Sequence, residues 1–522
     1  MSKVIFIKPH LETDAIWDPI RTCPYLGIWY LACKLRLDGH QAIYLDETIR
    51  EDALKKQKLF KRTLHPNGKY TQQPINITYQ ELQAAKMQDY NSLTPSKFVD
   101  KYSVFKQNSI VRYIAQTGNS IDKTLEYVNK EKPDFVGIPL IASANYIPAT
   151  KLGKAIKQAF PSVKMLFGGQ HISVDPIQFK KDNPWIDAVI VGDGISVITD
   201  IVEKRNNDEI IYGGFETMDK FPLLDPRVIF NNQQPGNNPL YAFPTEGRSA
   251  IDFMFSKGCF RNCEFCFAGS QPENHVTQTA YDKIEQQLEI FKKHGIEELI
   301  IQDDAFLYQP KTHLVKILEI MKKHEFFWQN NGGIEFEMLD NFVTDLLINY
   351  NKKGKGKATV LYIPFNPRTW NKDGSAAGSM SVRYKNNFNN LKRLRKEGGI
   401  YVFTSEIVGT PDNTADLMDS DINLHKKMIS EGYLDAALSL SATMLPGTKW
   451  FKTNKHNIIN QKDWPGYSLF TTHHRTENIK NPKTIEYYMI KRSKELDAYQ
   501  QTYHWETAFP NSDPKNFRYD YL

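Results

Sequence analysis

Apolar positions along the chain switch repeatedly between a period of two and a period near three and a half. VIFIKP (4–9) is a short β-rich run, PYLGIWYLACKLRLDGH (24–40) carries apolar residues at helical spacing and stops at Asp38-Gly39, and QAIYLDE (41–47) reads as a second strand. The alternation resumes with DFVGIPLIASA (134–144), a helix over 148–160, KMLFGGQHIS (164–173) and IDAVIVGDG (186–194). Strands alternating with helices at this interval predict an α/β domain over 1–215 with a doubly wound, Rossmann-like parallel sheet. Residues 49–130 do not fit the repeating unit. They are polar, with helices expected over 78–90 and 107–130, and read as a large insertion.

Residues 216–248 are rich in Pro, Asn and Gly, have no sustained period, and read as a linker. A second βα series follows, with strands predicted over 250–256, 297–303, 332–338, 358–364, 400–408 and 436–443. Helical patterns separate them, as at 279–295 and 381–398. Six units are too few for a closed eight-stranded barrel and predict an open, partial (β/α)6 barrel over 249–455, its site at the C-terminal strand ends. The loop 362–380 would then face substrate on the active side. Residues 456–522 mix polar loops with a helix near 484–500 and read as a cap, where Trp464, Tyr467, Phe470, His473 and His474 could form a lid.

Composition narrows the class. Hydrophobic residues make up 41% and charged residues 24% of the 522, as in a globular protein with a real core. The net charge of +6 is small for this length and its Lys and Arg are scattered, which argues against a nucleic-acid partner. No apolar run is long enough for a signal peptide or a membrane span, so a cytoplasmic protein with no membrane partner is expected. Five cysteines exclude a disulfide scaffold, and three of them cluster at Cys259, Cys263 and Cys266, far from Cys23 and Cys33.

Those three lie in SKGCFRNCEFCFAG (256–269), spaced Cys-x3-Cys-x2-Cys. Thiolates hold iron–sulfur clusters, and a four-iron cluster normally takes four cysteines, so three leave one iron open to another ligand. The rival is zinc, which prefers four ligands, with His275 as the available fourth; paired Cys-x-x-Cys knuckles are absent. In the first domain, Gly168-Gly169-Gln170-His171 and Gly192-Asp193-Gly194 fall at strand ends, where a doubly wound sheet binds ligands. Tight turns are the plainer explanation of both. No G-x-G-x-x-G follows the first strand, which argues against a nicotinamide or flavin site.

In order and spacing, PYLGIWYLACKLRLDGHQAIYLD, DFVGIPLIASAN, LFGGQHIS and AVIVGDG resemble the cobalamin-binding domain that precedes certain radical S-adenosylmethionine (SAM) enzymes. The resemblance implies a corrin across the strand ends, with the 141–146 and 168–173 loops lining its nucleotide tail. Ser143, Ala144, Gly168, Gly169, Gln170, His171, Gly192 and Gly194 become the implied cobalamin contacts. No D-x-H-x-x-G occurs, so cobalamin would bind without the usual histidine ligand, and His171 is not assigned to cobalt.

The cysteine spacing, in a loop after the first strand of a βα series, is the signature of the radical SAM superfamily, and the resemblance runs over nearly all of 1–450. It implies a 4Fe-4S cluster on Cys259, Cys263 and Cys266, with SAM on the open iron and Phe265 against the adenine. ELIIQDDAFLY (298–308) is similar to the second-strand segment of the class and would aim Asp303 and Asp304 at the site. SEIVGTPDNT (405–414) matches its glycine–proline turn, bringing Gly409 and Pro411 to the adenosine, and SATMLPGTKWF (441–451) its proline–glycine–threonine segment. No Gly-Gly-Glu motif is evident after the cysteine loop, so the group for the methionine amine stays open and no catalytic residue is assigned.

What this resemblance implies is a class B radical SAM methyltransferase-like enzyme. One SAM would methylate cobalamin; a second, cleaved at the cluster, would give a 5′-deoxyadenosyl radical that opens an unactivated carbon to the methyl of methylcobalamin. The substrate would be a small natural product or peptide, and the electron an external donor's, such as flavodoxin or ferredoxin. The same two domains also serve cyclisation and rearrangement without methyl transfer. A non-catalytic zinc or iron–sulfur binding module is the alternative from another class; the modest charge and the missing fourth ligand count against it.

Overall fold

The computed structural model describes residues 1–19, 23–48, 57–230, 243–268, 276–308, 310–330, 332–364 and 378–497. His275 and most of the 362–380 loop lie outside them.

The first sheet has six parallel strands in the order Gln41–Asp46, Lys3–Lys8, Phe135–Pro139, Lys164–Gly168, Ala188–Gly192 and Ile210–Gly214. Chain order reverses between Lys3–Lys8 and Phe135–Pro139, and an open sheet leaves a ligand crevice at such a switch point. The strands are apolar on both faces because both are covered. Val4, Phe6, Leu166 and Ile190 pack into one core, and Ile5, Ile7, Val136, Ile138, Met165 and Val189 into another.

The first of those cores continues into the second domain. Trp29, on the helix Leu26–Leu37, stacks on Phe291 of the helix Tyr281–Lys293 with centroids 6.3 Å apart. The described part of the 216–248 segment is built into this core rather than spanning it freely. Phe221, Leu224, Val228 and Ile229 are buried there, and Gln287 holds the Leu224 N–H and carbonyl at 2.6 and 2.9 Å.

The insertion joins Leu11–Asp14 in an antiparallel sheet ordered Leu11–Asp14, Ser109–Thr117, Lys58–Leu64, Tyr70–Pro74, with helices Tyr79–Ser92 and Pro95–Tyr102 following in the chain. The helix expected over 107–130 is therefore corrected: Ser109–Thr117 is a strand and only Ile121–Glu131 is helical. SIVRYIAQT pairs on both edges, and its β-branched and aromatic residues suit a central strand better than a helix.

The second sheet is open and parallel: Ala250–Phe253, Glu298–Ile301, Phe327–Asn330, Ala358–Tyr362, Tyr401–Val408 and Ala436–Ser441 follow in chain order. Its third strand is FWQN, not the 332–338 stretch expected. Gly332-Gly333 breaks the extended run, with Gly333 at φ 101°, and a single turn at Phe336–Met338 takes its place. The C-terminal helix Pro482–Asp497 packs against Pro95–Tyr102 of the insertion and against the last barrel strand. No helix among the described residues is long and apolar enough to cross a membrane.

Candidate active site

The C-terminal ends of the two sheets meet. Lys257, two residues before Cys259, forms an ion pair with Asp193, between Gly192 and Gly194 at the end of the fifth strand of the first sheet. Asp193 also accepts the Glu216 N–H at 2.6 Å, and the Lys257 ammonium lies 3.8 Å from the Phe215 ring centroid. On the opposite side, a Cβ on Gly447 would touch Val174 of the first domain at 2.7 Å and Phe267 of the cysteine loop at 3.3 Å. The cysteine loop is thus clamped between the domains.

All three cysteines are half-buried, and a turn closes them with Cys266 N–H donating to Cys263 O at 3.0 Å. Arg261 N–H points at Cys259 Sγ, 3.4 Å away. Burial pushes the Cys259 and Cys263 thiols up, with Glu335 and Cys266 adding to it at Cys259 and Cys266 at Cys263. The donor set fits an iron–sulfur cluster: three half-buried free thiols within one short loop, with the Arg261 N–H directed at the Cys259 sulfur.

Several groups shape that loop. Asp303 is fully buried; it accepts Phe255 N–H at 2.9 Å and Ser256 Oγ–H at 2.5 Å. Through these bonds it holds the strand end that leads into the loop, and burial raises its carboxyl to about 7. Asp304 is exposed and accepts Gly258 N–H at 2.9 Å. Phe265 is 40% exposed and rests on Trp450 with centroids 5.4 Å apart, while Trp450 N–H donates to Glu264 O at 3.0 Å. The proline–glycine–threonine segment thereby steers the cysteine loop.

Gly409 adopts φ 85°. Asn413 Oδ1 accepts the Gly409 and Thr410 N–H groups at 2.8 and 3.0 Å, and His474 Nε2–H donates to Gly409 O at 2.8 Å. A Cβ on Gly409 would meet Ile485 at 2.8 Å, so the turn is gripped by the C-terminal segment, with Pro411 half-buried beside it.

One group was missed in the sequence. Glu335 lies close enough to raise the Cys259 thiol, and burial lifts its own carboxyl to about 7. Its Oε2 is buried with no hydrogen-bond partner. A Cβ on Gly332 would sit 2.8 Å from Asp303 O, so only glycine lets this loop lie so close to the Asp303 backbone. Gly332-Gly333, two residues ahead of Glu335, was the available signal, hidden in a stretch read as a strand.

In the first domain the implied cobalamin residues form two connected groups. Ser143 Oγ and His171 Nδ1 are 2.8 Å apart, and Leu140 bridges their strands through Gly168 O at 2.7 Å and His171 N–H at 3.2 Å. Gly169 has φ 115°, and a Cβ there would meet Leu140 O at 2.7 Å. Ala144 sits in the Ser143–Asn145 turn, and Gln170 opens a five-residue helix with its side chain exposed. Gly192 N–H donates to Ser173 Oγ at 3.1 Å, but the Gly192–Gly194 loop turns toward the barrel through Asp193, and its glycine at 192 is required by the Gly214 carbonyl packed against it. The close backbone turn at Gly169, the Ser143 hydroxyl and the uncharged His171 imidazole at these strand ends fit a large cofactor of mostly neutral polar groups.

Comparison with known proteins agrees with this division. The B12-binding domain family matches residues 105–202 and the radical SAM superfamily residues 253–424. An uncharacterised methyltransferase of Pyrococcus horikoshii is 24% identical over 356 residues, covering 65% of this chain and 74% of its own length. The anaerobic magnesium-protoporphyrin IX monomethyl ester cyclase of Rubrivivax gelatinosus is 22% identical over 329 residues, 58% of this chain and 55% of its own. In fold, the radical SAM methyltransferase TsrM of Kitasatospora setae, solved with tryptophan and a SAM analogue, aligns with a TM-score of 0.52 at 12% identity over 86% of this chain and 75% of that one. The cofactors that follow are cobalamin for the first domain and a 4Fe-4S cluster with SAM for the second. With both family domains on one chain in this order, the protein belongs to the radical SAM enzymes that carry a cobalamin-binding domain.

Proposed function

We propose that this protein methylates an unactivated carbon of a small natural product or peptide. The observation that carries the reading is the joining of the two sheet ends by Lys257–Asp193 and by Gly447 between Val174 and Phe267, which supports two cofactor sites opening on one shared face. When bound, cobalamin supplies a carrier for a methyl group and the cluster with SAM supplies the radical that removes hydrogen from carbon.

The chain's own residues bind, orient and exclude water. Cys259, Cys263 and Cys266 hold the cluster on a loop whose backbone is fixed by Asp303 and Asp304. Phe265, backed by Trp450, offers an exposed ring for the adenine. The Gly409–Pro411 turn, held by Asn413 and His474, presents backbone to the adenosine. Glu335, with a buried unpartnered oxygen beside the cysteines, is the group for a cation at the open side of the cluster, such as the methionine ammonium. Ser143, Ala144, Gly168, Gly169, Gln170 and His171 line the cobalamin site, with Gly192 and Gly194 at its edge. An external flavodoxin or ferredoxin delivers the electron.

The test is anaerobic purification with cobalamin supplied, read by absorption spectrum and iron content, followed by incubation with SAM and a reductant. Methyl transfer yields S-adenosylhomocysteine together with 5′-deoxyadenosine. 5′-Deoxyadenosine without S-adenosylhomocysteine, from a chain holding both cofactors, favours cyclisation or rearrangement, the reading that the Rubrivivax cyclase relative supports.

A further inference from the structure

The crevice at the switch point of the first sheet is covered by residues from the far end of the chain. Tyr146 follows the Ser143–Asn145 turn, and the ring of Trp464 lies flat against it, centroids 4.2 Å apart and planes 14° apart. His171 stands edge-on to both rings, 5.6 Å from Tyr146 and 5.5 Å from Trp464, and its Nδ1 is 2.8 Å from Ser143 Oγ. All three rings are half-buried, so the wall they make keeps an open side.

Trp464 is fastened in place. Its N–H donates to Tyr70 Oη at 3.2 Å, and the preceding Asp463 takes both ends of the buried Arg112 guanidinium at 2.8 and 2.6 Å. The segment 463–474 was expected to lid the site. Its aromatic turn Trp464–Tyr467 packs on the Ser143–Asn145 turn.

The chemistry of the wall selects its occupant. Charges at the neighbouring strand end are spent on each other: Lys8 on Asp46 at 3.1 Å and Arg62 on Glu12 at 2.8 Å. Burial holds His171 down at about 4, so the imidazole is uncharged near neutrality. What remains is stacked aromatic surface with a hydroxyl and a neutral imidazole. That suits a flat, uncharged heteroaromatic base.

We infer that Trp464 caps the tail end of the cobalamin site, and that the wall of Tyr146, His171 and Trp464 takes the base of the cofactor's nucleotide tail on its open side. This rests on the cobalamin assignment above. It makes the C-terminal segment a reader of the cofactor rather than a lid over substrate.

The experiment titrates the full-length chain anaerobically with hydroxocobalamin and with cobinamide, the same corrin without the nucleotide tail, following absorption. Trp464→Ala is expected to weaken hydroxocobalamin binding about tenfold, the scale of one lost base–aromatic stack, and to leave cobinamide within about twofold. Trp464→Phe, which keeps a ring, is expected to stay within about threefold of the wild type for both corrins. Unchanged cobinamide binding also reports an intact fold. Should the alanine chain fail to fold, Tyr146→Leu removes the other half of the stack and is expected to show the same selective loss. Equal losses for both corrins, no loss for either, or a phenylalanine variant as weak as alanine each overturn the cap. A wild-type chain that binds both corrins equally well removes only the cap, whereas one that binds neither removes the cobalamin reading beneath it.

Discussion

Asp303 gives the sharpest test of how the cysteine loop is held. Its side chain is fully buried, and its two oxygens take the Phe255 N–H at 2.9 Å and the Ser256 hydroxyl at 2.5 Å. Asp303→Ala would strip two buried donors of their acceptor. Each orphaned donor costs ~1–3 kcal/mol, so the variant should lose about 4 kcal/mol, concentrated at the base of the loop. Asp303→Asn keeps one acceptor oxygen, and the Ser256 hydroxyl can turn to accept from the amide, so a loss of about 1 kcal/mol is expected. Burial also raises the native Asp303 carboxyl to about 7 from 3.8. The native state therefore keeps a proton that the unfolded chain has already released. Its contribution is full below about pH 4 and is lost as pH rises through about 7, a slope that the asparagine variant should lack. The assay pairs urea unfolding at pH 5 and pH 8 with iron and sulfide content after anaerobic reconstitution. An alanine variant with the wild-type midpoint and a full iron load would show that other contacts hold the loop and would refute the reasoning.

The buried Arg112 joins the insertion to the C-terminal segment through Asp14 at 3.0 Å, Asp463 at 2.8 and 2.6 Å, and Thr471 at 2.6 Å. Arg112→Met should cost ~3–5 kcal/mol in thermal unfolding because two carboxylates are left buried without their cation, and a second change, Asp463→Asn, should recover part of the loss. Glu486 is fully buried, and burial lifts it to about 7 from 4.5. Its contribution should vanish as pH rises from about 4.5 through 7, and Glu486→Gln should flatten that part of the pH–stability curve by about 3 kcal/mol in urea titrations. Gly169→Ala places a Cβ 2.7 Å from Leu140 O at φ 115°, so a loss of about 1–3 kcal/mol in thermal unfolding is expected, with weaker hydroxocobalamin binding.

Much of both folds was legible because the signals are local. Short continuous apolar runs such as KMLFG and ATVLY, and helical runs such as YDKIEQQLEIFKK, declare their buried residues within a few positions. The cysteine triad is likewise complete within eight residues. Errors came where neighbours overrode local pattern. SIVRYIAQT became a strand because strands on both sides pair with it, and IEFEM did not, because Gly332-Gly333 turns the chain toward Asp303. The partnerships that build the site leave no trace in any window of sequence: Trp464 with Tyr146, Asp463 with Arg112, Lys257 with Asp193, Gly409 with His474. Residues 64 to 351 positions apart make the last three of these bonds, and such contacts depend on where whole sheets and helices come to rest. Periodicity records which face of an element is buried, but it carries no record of which distant side chain will meet that face.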